Sequence, residues 1–202
     1  MGPTAVGKTD AAVAVAESFD VELISVDSAL VYRGLCIGAA QPDYPHHLID
    51  IRDPSDVYTA ANFVIDTLSC IADARARGRR AVLVGGTMMY YRAVIEGLSD
   101  MPASDPAIRD EIDSEAAQVG WPAMHRELMT VDPDTANSLH PNHSQRISRA
   151  LEIFRQTGTP MSQWKRANSQ NAREAVCLAL APNDRAKLHA RIDARFDRML
   201  QA

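Results

Sequence analysis

No apolar run in the 202 residues approaches the roughly 20 needed to carry a helix across a bilayer, and no signal peptide stands at the start. No membrane association is expected, and the cytoplasm is the expected compartment. Cysteine is scarce: Cys36, Cys70 and Cys177 lie far apart without a C-x-x-C pair, which points away from a zinc site and from a disulfide framework. All three are expected to be ordinary buried thiols. The six histidines form no metal set, since His140 and His143 flank Pro141-Asn142 and read as loop. A basic excess is missing too. Lys and Arg total 21 against 26 Asp and Glu, a formal net charge of −5, so the surface as a whole is not built to grip nucleic acid. Any RNA contact must be local. Internal repeats and low-complexity tracts are absent, and no strand precedes the first motif: Met1 sits directly on it, so the chain reads as a trimmed or partly ordered version of a longer protein. The 46% hydrophobic content supports a proper core, either one large domain or a core with an insertion.

What the chain does have, at once, is Gly2-Pro3-Thr4-Ala5-Val6-Gly7-Lys8-Thr9, which fits G-x-x-x-x-G-K-[ST]. In such a loop backbone amides wrap a diphosphate, while Lys and the Ser/Thr hydroxyl manage phosphate charge and Mg²⁺. A helix should follow, its N-terminus directed at the anion, with Ala12, Val15, Ala16 and Phe19 as its buried face.

The next elements alternate. Val21 to Val26 is a β-rich apolar run ending at Asp27. Thr59 to Arg77 carries Ala60, Val64, Thr67, Leu68 and Ile71 at helical spacing and is closed by Gly78. Ala81 to Val84 is a second apolar strand, running into Gly85-Gly86-Thr87. This is the pattern of a doubly wound parallel α/β sheet, in which ligands bind at the carboxyl ends of strands. Asp27 and Thr87 fall at such ends. From Ser104 the texture turns helical: Asp105 caps, Pro106 opens, Ile108, Ile112, Ala116 and Val119 form a stripe, and Gly120 stops it. Trp121 to Met129, Pro133 to Leu139 and Ser144 to Thr157 read as further helices, and Ser162 to Arg173 as a polar, mobile connection. Ala175 to Leu180 is expected as a buried strand, and Asp184 to Leu200 as a last helix with Leu188, Ile192, Phe196 and Met199 on one side. The expected organisation is a P-loop core, 1–103 and 174–202, carrying an all-helical insertion, 104–173.

Lys8 is assigned to diphosphate oxygens and Thr9 to Mg²⁺. Asp27 admits three roles: a metal ligand, a general base for an incoming nucleophile, or a turn former. Gly85 and Gly86 permit close backbone approach to a ligand beside the Thr87 hydroxyl; a tight turn with Thr87 as helix cap is the plainer alternative. Asp50 and Asp53 read as a strand end and a turn. Arg146 and Arg149 share a helix face opposite Ile147, Leu151 and Phe154, either as solvated surface or as phosphate contacts. Arg191 and Arg195, on the last helix, suit closure over a leaving diphosphate.

Several strings together make the sequence resemble the tRNA dimethylallyltransferases, or isopentenyl-diphosphate:tRNA transferases. Besides the phosphate loop these are Ile24-Ser25-Val26-Asp27-Ser28-Ala29-Leu30-Val31-Tyr32-Arg33-Gly34, Pro45-His46-His47-Leu48-Ile49-Asp50 and Val84-Gly85-Gly86-Thr87-Met88-Met89-Tyr90. Two more are Gln145-Arg146-Ile147-Ser148-Arg149-Ala150-Leu151-Glu152 and Arg191-Ile192-Asp193-Ala194-Arg195-Phe196. The resemblance implies that the loop holds dimethylallyl diphosphate rather than ATP, with Mg²⁺, and that the N6 amine of adenosine 37 beside the tRNA anticodon attacks the allylic carbon. It makes Asp27 the general base and puts Thr87 at the reaction centre. Asp27, Ser28, Ala29, Leu30, Thr87, Arg109, Gln145, Arg146, Ile147, Ser148 and Arg149 become tRNA contacts. A monomer is expected. The chain departs from the family at Ala39 and Gln41, where Thr and Lys are usual, at His143, where Asp is common, and in a shorter segment between Asp43 and Tyr44. Family members also continue past residue 202. The rival enzyme is a P-loop small-molecule kinase using ATP, and the non-enzymatic rival an RNA-binding module with a vestigial loop.

Overall fold

Leu23, Ile24, Ser25 and Val26 are buried one after another, as in a strand covered on both faces. In the computed structural model, which describes residues 1–35, 41–97, 101–167 and 173–201, they belong to β1 (Val21–Val26). β1 pairs in parallel with β2 (Arg80–Gly85), the register running from Val21 opposite Arg80 to Val26 opposite Gly85. Helix α1 (Lys8–Ser18) precedes β1, α2 (Ala60–Ala76) crosses between the strands, and α3 (Met88–Glu96) follows β2. The result is a mixed α/β architecture around a small parallel sheet. Thr59 and Asn62 form a reciprocal capping box that starts α2. The core beneath contains Ile24, Val26, Val31, Phe63, Tyr90 and Val94, with the Phe63 and Tyr90 rings stacked at 4.3 Å. The stretch around His47 is laced to β1: Ser25 N–H donates to the His47 carbonyl and His47 N–H to that of Leu23. Asp50 and Ile51 donate to Leu30 and Val31, so this stretch also braces the turn that follows Asp27.

The described residues divide into two units, Met1–Ile95 with Arg173–Ala202, and Glu96–Ala172. The second is helical: α4 (Pro106–Val119), α5 (Trp121–Val131), α6 (Pro133–Asn137), α7 (Ser144–Thr157) and α8 (Met161–Ala167) enclose Ile112, Met124, Leu128, Ile147, Leu151 and Ile153. Asp105 caps α4 through Ala107 N–H at 2.9 Å with Pro106 in the first turn, and Asp132 uses one oxygen on Thr135 and the other on Ser162. Helix α9 (Arg185–Gln201) belongs to the first unit.

Four sequence expectations need correction. Helix α1 buries Ala12, not a stripe out to Phe19: Val15 is exposed, and Phe19, already extended at φ −140°, is 66% exposed. The helix ends at Ser18, and the extended backbone of Phe19 carries its side chain off the helical face. Ala175 to Leu180 forms no strand, and Val176 and Leu178 are 93% and 74% exposed. A strand needs a neighbour's amides and carbonyls, and among the described residues Met1 supplies the only such pairing: its amine donates to Leu178 and its carbonyl accepts from Leu180, each at 2.8 Å. Cys177 is exposed for the same reason, Cys70 is half-buried, and Cys36 lies outside the described residues. Met161 to Ala167 is helical rather than a loose connection, packing Met161 into the second core; residues 168–172, like Ala39, lie outside the described residues.

Candidate anion-binding and transfer site

The loop ahead of α1 takes its shape from two residues in the left-handed region, Ala5 at φ 61° and Gly7 at φ 93°. Such alternation turns successive N–H groups towards one concavity, which suits an anion. Gly2 is required where it stands, because a Cβ there would run into the Leu180 carbonyl. Gly7 caps α1 with no side-chain bond, so the amides at the start of the helix are left for a ligand. Lys8 folds back, its ammonium donating to the Pro3 carbonyl at 2.7 Å and lying 3.9 Å from where a Cβ on Gly86 would sit.

The strand ends meet this loop. The Val26 carbonyl accepts from both Gly86 and Thr87 at 3.2 Å, and a Cβ on Gly85 would collide with that same carbonyl. Ser28 N–H donates to the Thr87 hydroxyl oxygen at 3.2 Å. Asp27 Oδ1 accepts from Ala29 and Leu30 N–H at 2.8 and 3.3 Å, an Asx turn that fixes the carboxylate. Its second oxygen has no hydrogen bond among the described residues.

Thr4, Lys8, Thr9, Asp27, Leu30, Gly85, Gly86 and Arg195 line one cavity of ≈ 170 Å³, together with Ser25, Pro42, His46 and Val84. Burial pushes the Lys8 ammonium below the usual lysine range, the Arg195 guanidinium adds to that, and Asp27 pulls the other way. Arg195 Nε is buried without a partner among the described residues. Two cations against one carboxylate, with a guanidinium N–H unanswered, make a cavity suited to an anion. Thr9 and Asp27 add the hard oxygen donors that Mg²⁺ prefers. Gly2, Pro3, Ala5, Val6 and Gly7 build the loop without lining the cavity, Ser28, Ala29 and Thr87 flank it, and Arg191 is not in its wall. His46 was not foreseen. Its Nδ1 lies 2.7 Å from the Tyr44 carbonyl, which can only accept, so that nitrogen carries the proton. The sequence hint was its place in the string Pro45-His46-His47-Leu48-Ile49-Asp50, to which no site role was attached.

The second unit gathers its predicted residues differently. Glu152 has no exposed side-chain surface; its Oε1 accepts from Ser104 Oγ and Asp105 N–H, each at 2.7 Å, and its Oε2 from Arg149 at 2.8 Å and Arg109 Nε at 3.4 Å. Burial raises the Glu152 carboxyl, but the bonds from Arg149, Ser104 and Asp105 outweigh it and hold the group below the ordinary range. Arg149 also donates to the Pro102 carbonyl, and 28% of its side chain remains exposed. Ile147 is fully buried in the helical core and Ser148 nearly so. Gln145 and Arg146 are exposed, and Arg109 is half-exposed. Glu152 was missed because a glutamate three residues after an arginine on a helix reads as an ordinary surface pair.

Among known proteins, residues 30–202 match the family model described as IPP transferase. A tRNA dimethylallyltransferase of Burkholderia thailandensis is 54% identical over all of this chain, and one from Polaromonas sp. is also 54% identical. The chain spans 66% and 65% of those relatives' lengths. Of solved structures, the tRNA isopentenylpyrophosphate transferase of Bacillus halodurans aligns over 99% of this chain and 64% of its own, at 38% identity and TM-score 0.62. A eukaryotic dimethylallyltransferase, captured acting on tRNA, aligns over 99% of this chain and 51% of its own, at 28% identity and TM-score 0.83.

Proposed function

That the chain belongs to the IPP transferase family is the premise from which we propose that it transfers a dimethylallyl group from dimethylallyl diphosphate to the N6 amine of adenosine 37 in tRNA, on a P-loop, doubly wound α/β core. The observation that carries the reading is the Lys8–Arg195 pair facing Asp27 across one cavity, with Arg195 Nε unanswered. Lys8, the loop amides and Arg195 bind the diphosphate. As the adenine nitrogen bonds to the allylic carbon, the carbon–oxygen bond breaks and its electron pair leaves on the diphosphate, where those cations receive it. The amine proton passes to the free oxygen of Asp27, whose other oxygen is held by Ala29 and Leu30. An exocyclic adenine amine is a weak nucleophile because its lone pair is delocalised into the ring, so orientation and proton acceptance count for much of the rate. The Thr87 hydroxyl oxygen accepts from Ser28 and its proton is left to donate at the reaction centre.

Thr9 would hold Mg²⁺ through its hydroxyl oxygen, and the ion would supply charge neutralisation on the diphosphate. The adenine must leave the anticodon stack to reach the cavity, as bases do in other base-modifying enzymes. The helical unit supplies the local RNA contacts that a chain of net charge −5 requires. The protein is read as a cytoplasmic monomer.

A P-loop kinase using ATP accounts for Gly2 to Thr9 and Asp27 as well, but it is not favoured, because the relatives carry prenyl-transfer names. The test is nucleoside mass analysis of unmodified anticodon stem-loop RNA incubated with the protein, Mg²⁺ and dimethylallyl diphosphate, with ATP in a parallel reaction. N6-dimethylallyladenosine formed only with the prenyl donor is expected. No prenylated base, with ADP appearing in the ATP reaction, overturns the reading in favour of a kinase.

A further inference from the structure

We propose that Glu152 is a positioning residue that aims the Arg109 guanidinium at an RNA phosphate, an inference that rests on the tRNA reading above. A carboxylate with no solvent exposure is costly to bury and is kept only where several donors meet it. Glu152 meets four, and they come from three places: the segment entering α4 (Ser104 and Asp105), α4 itself (Arg109) and α7 (Arg149). The two arginines are held unequally. Arg149 has both terminal nitrogens engaged, one donating to Glu152 and one to the Pro102 carbonyl, and is mostly buried. Arg109 touches Glu152 through Nε alone, so its two terminal nitrogens have no hydrogen bond among the described residues, and 46% of its side chain faces solvent.

A guanidinium oriented at Nε, here by a long 3.4 Å contact, turns its outer pair of N–H groups outward as a planar fork, the geometry that matches a phosphate bidentately. Since the chain as a whole is negative, an RNA backbone has to dock on a local cation, and Arg109 is an exposed one. Arg146, exposed one turn before Arg149, extends the same positive face along α7.

The test turns on sign. Glu152→Gln removes a negative charge, so simple electrostatics calls for tighter RNA binding, whereas loss of aim at Arg109 calls for weaker binding. Dissociation constants for an anticodon stem-loop RNA are measured across a salt series for the wild-type chain, Glu152→Gln, Arg109→Ala and the double variant. Expected are a ~3–10-fold rise in Kd for each single variant, no further rise in the double, and a salt slope reduced by about one phosphate contact. Prenyl transfer should show a raised KM for RNA at unchanged kcat. Binding by Glu152→Gln that is unchanged or tighter overturns the inference, as does an Arg109→Ala variant with wild-type Kd and slope. Arg109→Ala keeps the test decisive if Glu152→Gln does not fold. A wild-type chain that fails to bind the RNA at all overturns the tRNA reading itself, which separates the two failures.

Discussion

Ser28 donates its backbone N–H to the hydroxyl oxygen of Thr87 at 3.2 Å, so the loop leaving β1 is pinned to the loop leaving β2 by one side chain. The same hydroxyl follows Gly86 of the cavity wall, and in the proposed transfer its proton is the one offered to the substrate.

Thr87→Val removes both roles, whereas Thr87→Ser preserves both. The valine variant is expected to lose ~10–100-fold in kcat, the scale of one lost hydrogen bond at a reacting centre, while serine retains most of the activity. Steady-state prenyl transfer on stem-loop RNA checks this. Equal losses in both variants would assign Thr87 to packing alone.

Asp27→Asn is a clean variant because an amide oxygen can still accept from Ala29 and Leu30, so the turn survives. It cannot take up a proton. RNA binding should stay near wild type while transfer slows by ~10²-fold or more. Full turnover would remove Asp27 from proton transfer.

Arg195→Ala and Lys8→Ala should each weaken inorganic diphosphate binding by ~10–100-fold, the worth of a charge-assisted bond. Thermal stabilisation by diphosphate with Mg²⁺ reports it. Arg191→Ala serves as the comparison, since Arg191 is absent from the cavity wall; a loss there equal to that of Arg195 would redraw the site.

Glu22, far along β1 from the cavity, receives two bonds from Arg77 and one from His47, and Arg77 above all holds its carboxyl down to about 2 from an ordinary 4.5. A carboxyl depressed by folding stabilises the fold above its unfolded value and gives up that contribution as acid protonates it. The contribution is thus present above pH 4.5 and lost between about 4.5 and 2. Melting of Glu22→Gln should fall below wild type at neutral pH, with the gap closing as pH drops towards 2. A gap independent of pH would mean that packing, not charge, is lost.

How much of this was legible beforehand depends on where the information lies. Val21 to Val26 and Ser144 to Thr157 were readable to the residue, the first as an apolar run stopped by Asp27 and the second as a helical period stopped by Gly158. Ala175 to Leu180 misled because an apolar β-rich run records only a willingness to pair, while pairing belongs to a neighbour. Phe19 misled because the chain turns extended at that residue, a stop that the apolar period does not reveal. In the site, Lys8, Thr9 and Asp27 stood out by motif and strand end. His46 and Glu152 did not, since each draws its role from partners that only the folded chain assembles: Tyr44 and the cavity for one, four donors for the other.

The register of the parallel pair has a mechanical meaning. Val26 lies opposite Gly85, so Asp27 and the Gly86–Thr87 turn leave the sheet at the same level. The smallest slip that returns every β1 side chain to its own face is two residues, about 7 Å, more than twice the reach of a hydrogen bond. Such a slip would carry Ser28 out of reach of Thr87 while leaving the pattern of apolar faces untouched. The two strands therefore work as a gauge: hydrophobic patterning tolerates several settings, and the bond between the loops admits one.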